Sequence, residues 1–247
     1  MNEYEAIADV QQIVTCKLYK EVGAPPHFHR SIELVYVVKG RIEAKTGSLN
    51  QSVSENEILF VPSCFMHTMF SVPGTRSFTF IIPYNYFSSF EKDGYKFCYT
   101  ALRDRVFNRL ILDLIKMAKK DISLQPSLLM QGYINVILGN ILSHYPCCEI
   151  EEKQNKLMIS VIEYIEKRYT ENITLDELAN AFGYSRYYFS RLFNKFFDCN
   201  LKRFINRLRE GSLYSEDNDA KNKTDKILNA GFSSLSTFYK YKNSDNQ

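Results

Sequence analysis

The stretch Ile173–Phe196, ITLDELANAFGYSRYYFSRLFNKF, constrains this chain more than any other. Its apolar residues recur at helical spacing in two short runs with Gly183 between them. That pattern predicts two amphipathic helices joined by a tight turn. Thr174 is a good N-cap for the first, with Glu177 three residues on to complete a capping box. Leu175, Leu178 and Ala179 form its apolar face. Phe182 precedes Gly183, which can take the left-handed conformation that ends a helix. Ser185 caps the second helix, whose buried stripe is expected to include Tyr188, Phe189, Leu192, Phe193 and Phe196. Arg186, Ser190 and Asn194 recur every four residues, as do Tyr187 and Arg191. With Lys195 they occupy adjoining strips of one polar face.

This is the sequence form of a helix-turn-helix, the unit that lays a recognition helix in the major groove of duplex DNA. Arg can bond guanine through two donors, Asn can do the same to adenine, and Lys and Ser reach phosphates. A charged helix face is usually just a solvated one; here the turn, the caps and the polar face agree. Local charge supports the reading. The net charge of the chain is only +3, too small to mark a nucleic-acid binder. Yet residues 186–209 hold Arg186, Arg191, Lys195, Lys202, Arg203, Arg207 and Arg209 against Asp198 alone, a local charge of +6 where phosphate contacts would need it.

The remaining sequence divides by period. With 247 residues there is room for one large domain or two ordinary ones. Residues 10–90 read as strands (IVTCKLY, SIELVYVVKG, RIEAKTG, EILFVP, SFTFIIP), with turns expected at Gly40, Gly47 and Gly74. From about Thr100 the period becomes helical. Val106, Leu110, Leu114 and Met117, with neighbours Ile111 and Ile115, mark one helix, and LLMQGYINVILGNILSHY after Pro126 marks another. These two helices are expected either to pack on both the strands and a partner subunit or to serve core packing alone. His144, late in the second, reads as a partner of its C-terminal dipole. Pro146–Asn155 reads as a linker, and LMISVIEYIEKRYTEN as an amphipathic helix.

Several classes are excluded. Cys16, Cys64, Cys98, Cys147, Cys148 and Cys199 include no CxxC pair, which argues against a zinc ribbon or thioredoxin-like motif. Only Cys147 and Cys148 are expected to be exposed. The acidic, polar N-terminus is not that of a typical signal peptide, and no apolar run reaches the roughly 18 residues of a membrane span. The expectation is a cytoplasmic protein with reduced thiols. Outside the histidine pattern described next, no constellation suggests nucleophilic catalysis.

The C-terminal pattern resembles the AraC-type transcriptional regulators. The residues that carry the resemblance are Thr174 with LDELA, the Gly183-Tyr184-Ser185 turn, YYFSRLF, and FINRLR as the start of a linker helix. A second unit is matched by KILNAGFSSLSTFYKYK, with its turn at Gly231-Phe232 and Ser234, Ser236, Thr237 and Lys240 on its recognition helix. The segment EGSLYSEDNDAKNKT departs from the family, because its Gly, Ser, Asp and Asn are poor helix interiors. Asp198 stands where the family tends to have Gly, and Gln247 comes before the Gly-x-x-Pro-x-x-Tyr-Arg ending of many members. The resemblance implies DNA binding by Ser185, Arg186, Tyr187, Ser190, Arg191, Asn194 and Lys195, with base reading expected of Arg186, Tyr187, Ser190, Arg191 and Asn194. It implies a weakened second unit that contributes mainly phosphate contacts.

The N-terminal region resembles the cupin barrel. His27-x-His29-x3-Glu33-x6-Gly40 and Pro62-x4-His67 match its two motifs, with Asn56 and Cys64 standing where the family has Gly. In metal-binding cupins such residues supply three His and one Glu, a set suited to Zn, Ni, Fe or Mn. The resemblance implies a metal site at His27, His29, Glu33 and His67, or an effector pocket of His29, Glu33, Tyr36 and His67 amid Phe60, Met66 and Phe80.

The expected fold is therefore a multidomain α+β chain. An N-terminal antiparallel β-barrel of cupin or jelly-roll type and its following helices precede an all-α helix-turn-helix domain. The expected boundaries are 1–98 for the barrel, 99–145 for the coupling or dimerisation helices, 146–155 for the linker and 156–247 for DNA binding. The two helix-turn-helices fall at 173–196 and 224–242. The expected function is that of a non-enzymatic, sequence-specific regulator. It would bind double-stranded DNA as a homodimer, answer to a small-molecule effector and need no cofactor beyond a possible divalent metal. The rival is a metal-dependent cupin enzyme with a helical accessory domain, the same four ligands holding a catalytic metal.

Overall fold

A computed structural model of the chain describes residues 3–4, 12–46, 49–92, 97, 100–124, 127–145, 153–197, 199–213 and 222–245. Two compact units result, one built on residues 12–151 and the other on 152–247.

In the first unit the strands are β1 (Glu3–Tyr4), β2 (Thr15–Lys20), β3 (Gly23–Phe28), β4 (Ile32–Lys39), β5 (Arg41–Thr46), β6 (Leu49–Ser54), β7 (Ile58–Val61), β8 (His67–Ser71), β9 (Arg76–Ile82) and β10 (Ala101–Leu102). They form two antiparallel five-stranded sheets, ordered β1-β3-β8-β5-β6 and β10-β7-β4-β9-β2. The expected barrel is thus an open two-sheet sandwich. Among the described residues no ladder joins the sheets, and the edge strands β1 and β10 are two residues long, too short to bridge them. Strand β3, GAPPHF, was hidden in the sequence by its two prolines. It pairs with β8 through a register shift between Ala24 and His27, where missing N–H donors are tolerated. Gly40 and Gly74 turn as expected, whereas Gly47 lies outside the described residues.

The central strand β4 is buried on both faces and separates two cores. Val35 and Val37 face the sandwich interior with Ile42, Ala44, Val53, Leu59, Val61 and Met69. Ile32, Leu34 and Tyr36 face the other way, with Ile58, Phe60 and Phe80, onto two helices. A short helix α1 (Ser88–Lys92) precedes these helices, α2 (Arg105–Lys120) and α3 (Leu128–His144). Asp104 caps α2 by accepting from Val106 and Phe107 N–H, and Ser127 caps α3. Helix α2 turns Asn108, Ile111, Ile115 and Ala118 inward. Of the stripe read from the sequence, Val106 (81% exposed), Leu110 and Met117 remain outside. His144 takes a partner other than the one expected. Its Nε2 lies 3.0 Å from the Asp104 carboxylate and its ring stacks on Phe107 at 3.9 Å, so it ties the end of α3 to the start of α2.

The second unit contains α4 (Lys153–Glu166), α5 (Leu175–Ala181), α6 (Arg186–Phe197), α7 (Leu201–Ser212), α8 (Lys223–Asn229) and α9 (Leu235–Asp245). Lys153, Gln154 and Asn155, read as the end of a linker, already belong to α4. Glu210, Gly211 and Ser212 continue α7 despite the low helix propensity of glycine and serine. Gly211 and Ser212 are buried on the same face as Phe204 and Leu208, and that packing overrides local propensity. Cys98, Cys147, Cys148, Asp198 and residues 214–221 lie outside the described residues. Cys16, Cys64 and Cys199 are buried thiols.

Candidate functional sites: a recognition helix and a histidine–glutamate cluster

At one end of the sandwich interior, His27 on β3, His67 on β8, Glu33 on β4 and His29 in the β3–β4 loop converge. All four are buried, and their potential ligand atoms lie within 4.8 Å of one another. Pairing of His27 with His67 across β3 and β8 brings two rings to 4.0 Å. Asn56 and Cys64, the departures from the glycine pattern, both adopt positive φ (64° and 61°), so the loops keep the left-handed turn. The Cys64 N–H then donates to the His29 carbonyl at 2.8 Å.

Each imidazole is held the same way. The Nδ1 atoms of His27, His29 and His67 lie 2.8, 2.9 and 2.9 Å from the carbonyls of Pro25, Ser31 and Phe65. A carbonyl only accepts, so every Nδ1 carries a proton, and in a neutral ring the Nε2 lone pair faces the cluster. Glu33 Oε2 lies 3.4 Å from His29 Nε2 and 3.3 Å from His67 Nε2. Burial pushes the Glu33 carboxyl up, but the two rings outweigh burial and hold it well below the usual carboxylate range. Two states satisfy this geometry: doubly protonated rings, or a cation where those protons would be. The His67 Nε2 atom favours the second, because it is buried and makes no properly directed hydrogen bond despite its proximity to Glu33. Three imidazole nitrogens and a carboxylate suit a divalent transition metal. Around such an ion, ligand atoms sit on the order of 3–4 Å apart, so small shifts would close this set.

Tyr36 is not part of the cluster. It lies three residues from Glu33 on the same strand, and alternation puts it on the opposite face. Its hydroxyl donates to Asn56 Oδ1 at 2.8 Å, and burial raises its pKa. Phe60 and Phe80 share that opposite face, while Met66 is half-buried.

In the second unit, Thr174 Oγ1 accepts from Glu177 N–H at 3.2 Å. The Glu177 carboxylate accepts from Tyr164 Oη at 2.8 Å and Arg168 Nη1 at 2.6 Å, contacts that lower its pKa together with the Thr174 N–H. Gly183 has φ +75°, and the Tyr184 N–H returns to the Ala179 carbonyl at 2.8 Å, so the chain reverses into α6. Ser185 Oγ caps α6 through Tyr188 N–H at 3.4 Å.

The inward stripe of α6 is Phe189, Phe193 and Phe197, four residues apart. Tyr188, expected in it, is 50% exposed, and Phe197 takes the place given to Phe196. Phe193 and Phe197 lock onto Phe204 of α7 at 5.6 and 4.5 Å. The outward face presents Arg186, Tyr187, Arg191, Asn194 and Lys195, with Ser190 half-buried at its edge. Arg186 pairs with Asp176 at 2.9 Å, and the Arg191 guanidinium sits 5.8 Å from the Tyr187 ring. Tyr184 of the turn stacks on Tyr188 at 5.4 Å, so two aromatics are exposed here, of which the expected stripe had buried Tyr188.

The local charge counted in the sequence is smaller on the surface. Arg207 is 9% exposed, and Arg209 donates to the carbonyls of Tyr169 and Glu171 at 2.7 and 2.8 Å.

Residues 165–206 match the family model of bacterial regulatory helix-turn-helix proteins, AraC family. The chain carries an AraC-family helix-turn-helix. It is also similar to the Msm operon regulatory protein of Streptococcus mutans, 22% identical over 152 residues that cover 60% of this chain and 54% of that one. The chain thus matches little more than half the length of that relative. In fold it is similar to ToxT from Vibrio cholerae strain SCE256, solved with an unsaturated fatty acid bound (TM-score 0.57, 11% identity, 94% of this chain and 90% of that one). ToxT of Vibrio cholerae O395 gives a TM-score of 0.53 at 10% identity, covering 94% of this chain and 93% of that one. The family match thus rests on residues 165–206, and the likeness to ToxT is one of fold.

Beyond the matched residues, α8 and α9 repeat the arrangement of two short helices joined at a glycine. Asn222 caps α8 by accepting from Asp225 N–H at 2.9 Å. Gly231 turns at φ +96°. Ile227, Ala230, Phe232, Phe238 and Tyr241 make a small core. Ser236 and Lys240 are exposed, whereas Ser234 and Thr237 are half-buried and bonded to each other at 3.0 Å. No described helix is long and apolar enough to cross a membrane.

Proposed function

We propose that the chain is a transcriptional regulator that reads a specific duplex DNA sequence mainly through α6 and responds to a ligand of its N-terminal sandwich. The observation that carries the DNA-reading part is the outward face of α6. Two guanidinium groups, a carboxamide and an ammonium stand there on a helix whose opposite stripe is fixed by buried phenylalanines. Such a face gives bidentate donors to guanine and adenine edges, with rigid backing that holds their register.

On the sensing side, His27, His29, Glu33 and His67 would hold a divalent metal. When bound, the metal would supply an open coordination position for an oxygen-bearing ligand. The Nδ1 bonds to three backbone carbonyls orient the rings for that role. The fatty acid bound to ToxT is a precedent for ligand binding by a protein of this fold. The exposed Val106, Leu110 and Met117 stripe of α2 would pair two copies, so that two α6 helices meet two half-sites.

Capture of sheared genomic DNA by the purified full chain, followed by sequencing, tests the reading. A regulator enriches a short motif at moderate salt, whereas fragments retained without a common sequence would refute it. Metal analysis separates the enzyme alternative. Bound metal without turnover, together with altered DNA affinity, supports sensing.

A further inference from the structure

A cleft of about 370 Å³ is lined by α3 and by residues between Asn85 and Phe90 together with Phe97, none of them in the histidine cluster. Its floor is apolar: Tyr86, Phe87, Phe97 and Leu138 are at most 8% exposed. Its rim carries Asn85, Ser89, Gln131 and Asn135. Among the described lining residues none is charged, in a chain of which 24% is charged. The volume is at the small end of ligand pockets, and an apolar floor with a few polar groups is their usual make-up.

Two further observations concern the polar groups and the room. Gln131 Nε2 donates to the Tyr86 carbonyl at 3.0 Å and to Asn135 Oδ1 at 2.9 Å. The Tyr86 carbonyl only accepts, so the amide nitrogen must face it, and both of its protons are then used. Gln131 keeps its Oε1 acceptor and Asn135 its Nδ2 donor, a fixed acceptor–donor pair on the rim. Gly139, inside α3, lines the same cleft, and a Cβ added there would meet nothing within 4 Å. A glycine in a helix interior costs helix stability, and this one admits no close neighbour in return. What its missing side chain leaves is space.

We infer that this cleft is a second small-molecule site, selective for a neutral, flat apolar ligand bearing an amide or lactam whose N–H and C=O meet Gln131 and Asn135. It is independent of the histidine–glutamate cluster and of any metal held there.

Ligand-observed NMR titration of the full chain with cinnamamide and cinnamate tests the inference. The two share a ring and chain and differ in the amide against a carboxylate. Cinnamamide should bind saturably and at least tenfold more tightly than cinnamate. Gly139→Leu should weaken it at least tenfold while raising the thermal unfolding midpoint, because leucine is the better helix former. Asn135→Leu should remove the preference for the amide. His67→Ala should change neither affinity. No saturable binding of cinnamamide, equal affinity for the two probes, or full affinity in a folded Gly139→Leu protein would overturn it.

Discussion

The two helix-turn-helix units share a plan and differ in where their polar groups go. Each ends its first helix on a left-handed glycine, Gly183 at φ +75° and Gly231 at φ +96°. Around Gly183 a Cβ would meet nothing within 4 Å, whereas at Gly231 it would lie 2.6 Å from the Thr170 Cα and 2.9 Å from Arg209 Nε. The first turn is open and its helix presents Arg186, Arg191, Asn194 and Lys195 outward. The second is wedged against the loop before α5, and its Ser233, Ser234 and Thr237 hydroxyls bond one another. Nearly the same local sequence logic has yielded an exposed cationic face in one unit and a packed turn in the other.

The largest expected effect separates the two turns. Gly231→Ala combines the left-handed penalty with a backbone clash and should cost about 3–5 kcal/mol. Gly183→Ala faces the conformational penalty alone, about 1–2 kcal/mol. Denaturant unfolding of both variants checks this, and equal losses would dissolve the distinction. Arg209→Ala should follow at about 2–3 kcal/mol, because it leaves the carbonyls of Tyr169 and Glu171 without their donor.

Much of the reading unit was legible in the sequence because its signals are local. The Thr174 cap, the Gly183 turn and the four-residue polar spacing each act within one helical turn. The misses have a common cause. Tyr188 was placed in the buried stripe on hydrophobicity, but the stripe is set by its phase, and Phe189, Phe193 and Phe197 occupy it. Tyr36 was grouped with Glu33 by character although an odd offset along β4 separates their faces. The two-sheet topology and the proline-bearing β3 depend on pairing between distant segments, which no local pattern specifies. The convergence of His27, His29, Glu33 and His67 was anticipated from motif resemblance; the uniform Nδ1 anchoring, which turns Nε2 inward, became visible only with the backbone in place.

Smaller effects sharpen the comparison at the DNA. Arg191→Ala or Asn194→Ala should lose about 1–3 kcal/mol of discrimination at one or two base positions with stability unchanged. Lys240→Ala should lower the salt slope of binding by about one without altering preference. Competition binding against mismatched duplexes at two salt concentrations distinguishes the two behaviours.

The smallest expected effect is in pH. Hydrogen bonds from Tyr164 and then Arg168 hold the Glu177 carboxyl below its ordinary value. A depressed value in the folded state means that the contribution is present above the ordinary glutamate range. It is lost as pH falls through the depressed value. The cap of the second unit, Asn222, does not titrate. Acid should therefore lower amide protection, relative to the intrinsic exchange rate at each pH, in α5 before α8, and simultaneous loss would show that the Glu177 contacts add nothing local.

The central claim is that α6 reads bases and α9 does not. Selection of duplexes from a random library by the unaltered chain, Arg191→Ala and Lys240→Ala, compared motif by motif, tests it most directly. The account predicts one motif for the unaltered chain, the same motif for Lys240→Ala, and a motif relaxed at one or two adjoining positions for Arg191→Ala. An unchanged motif in Arg191→Ala beside a relaxed one in Lys240→Ala would contradict it.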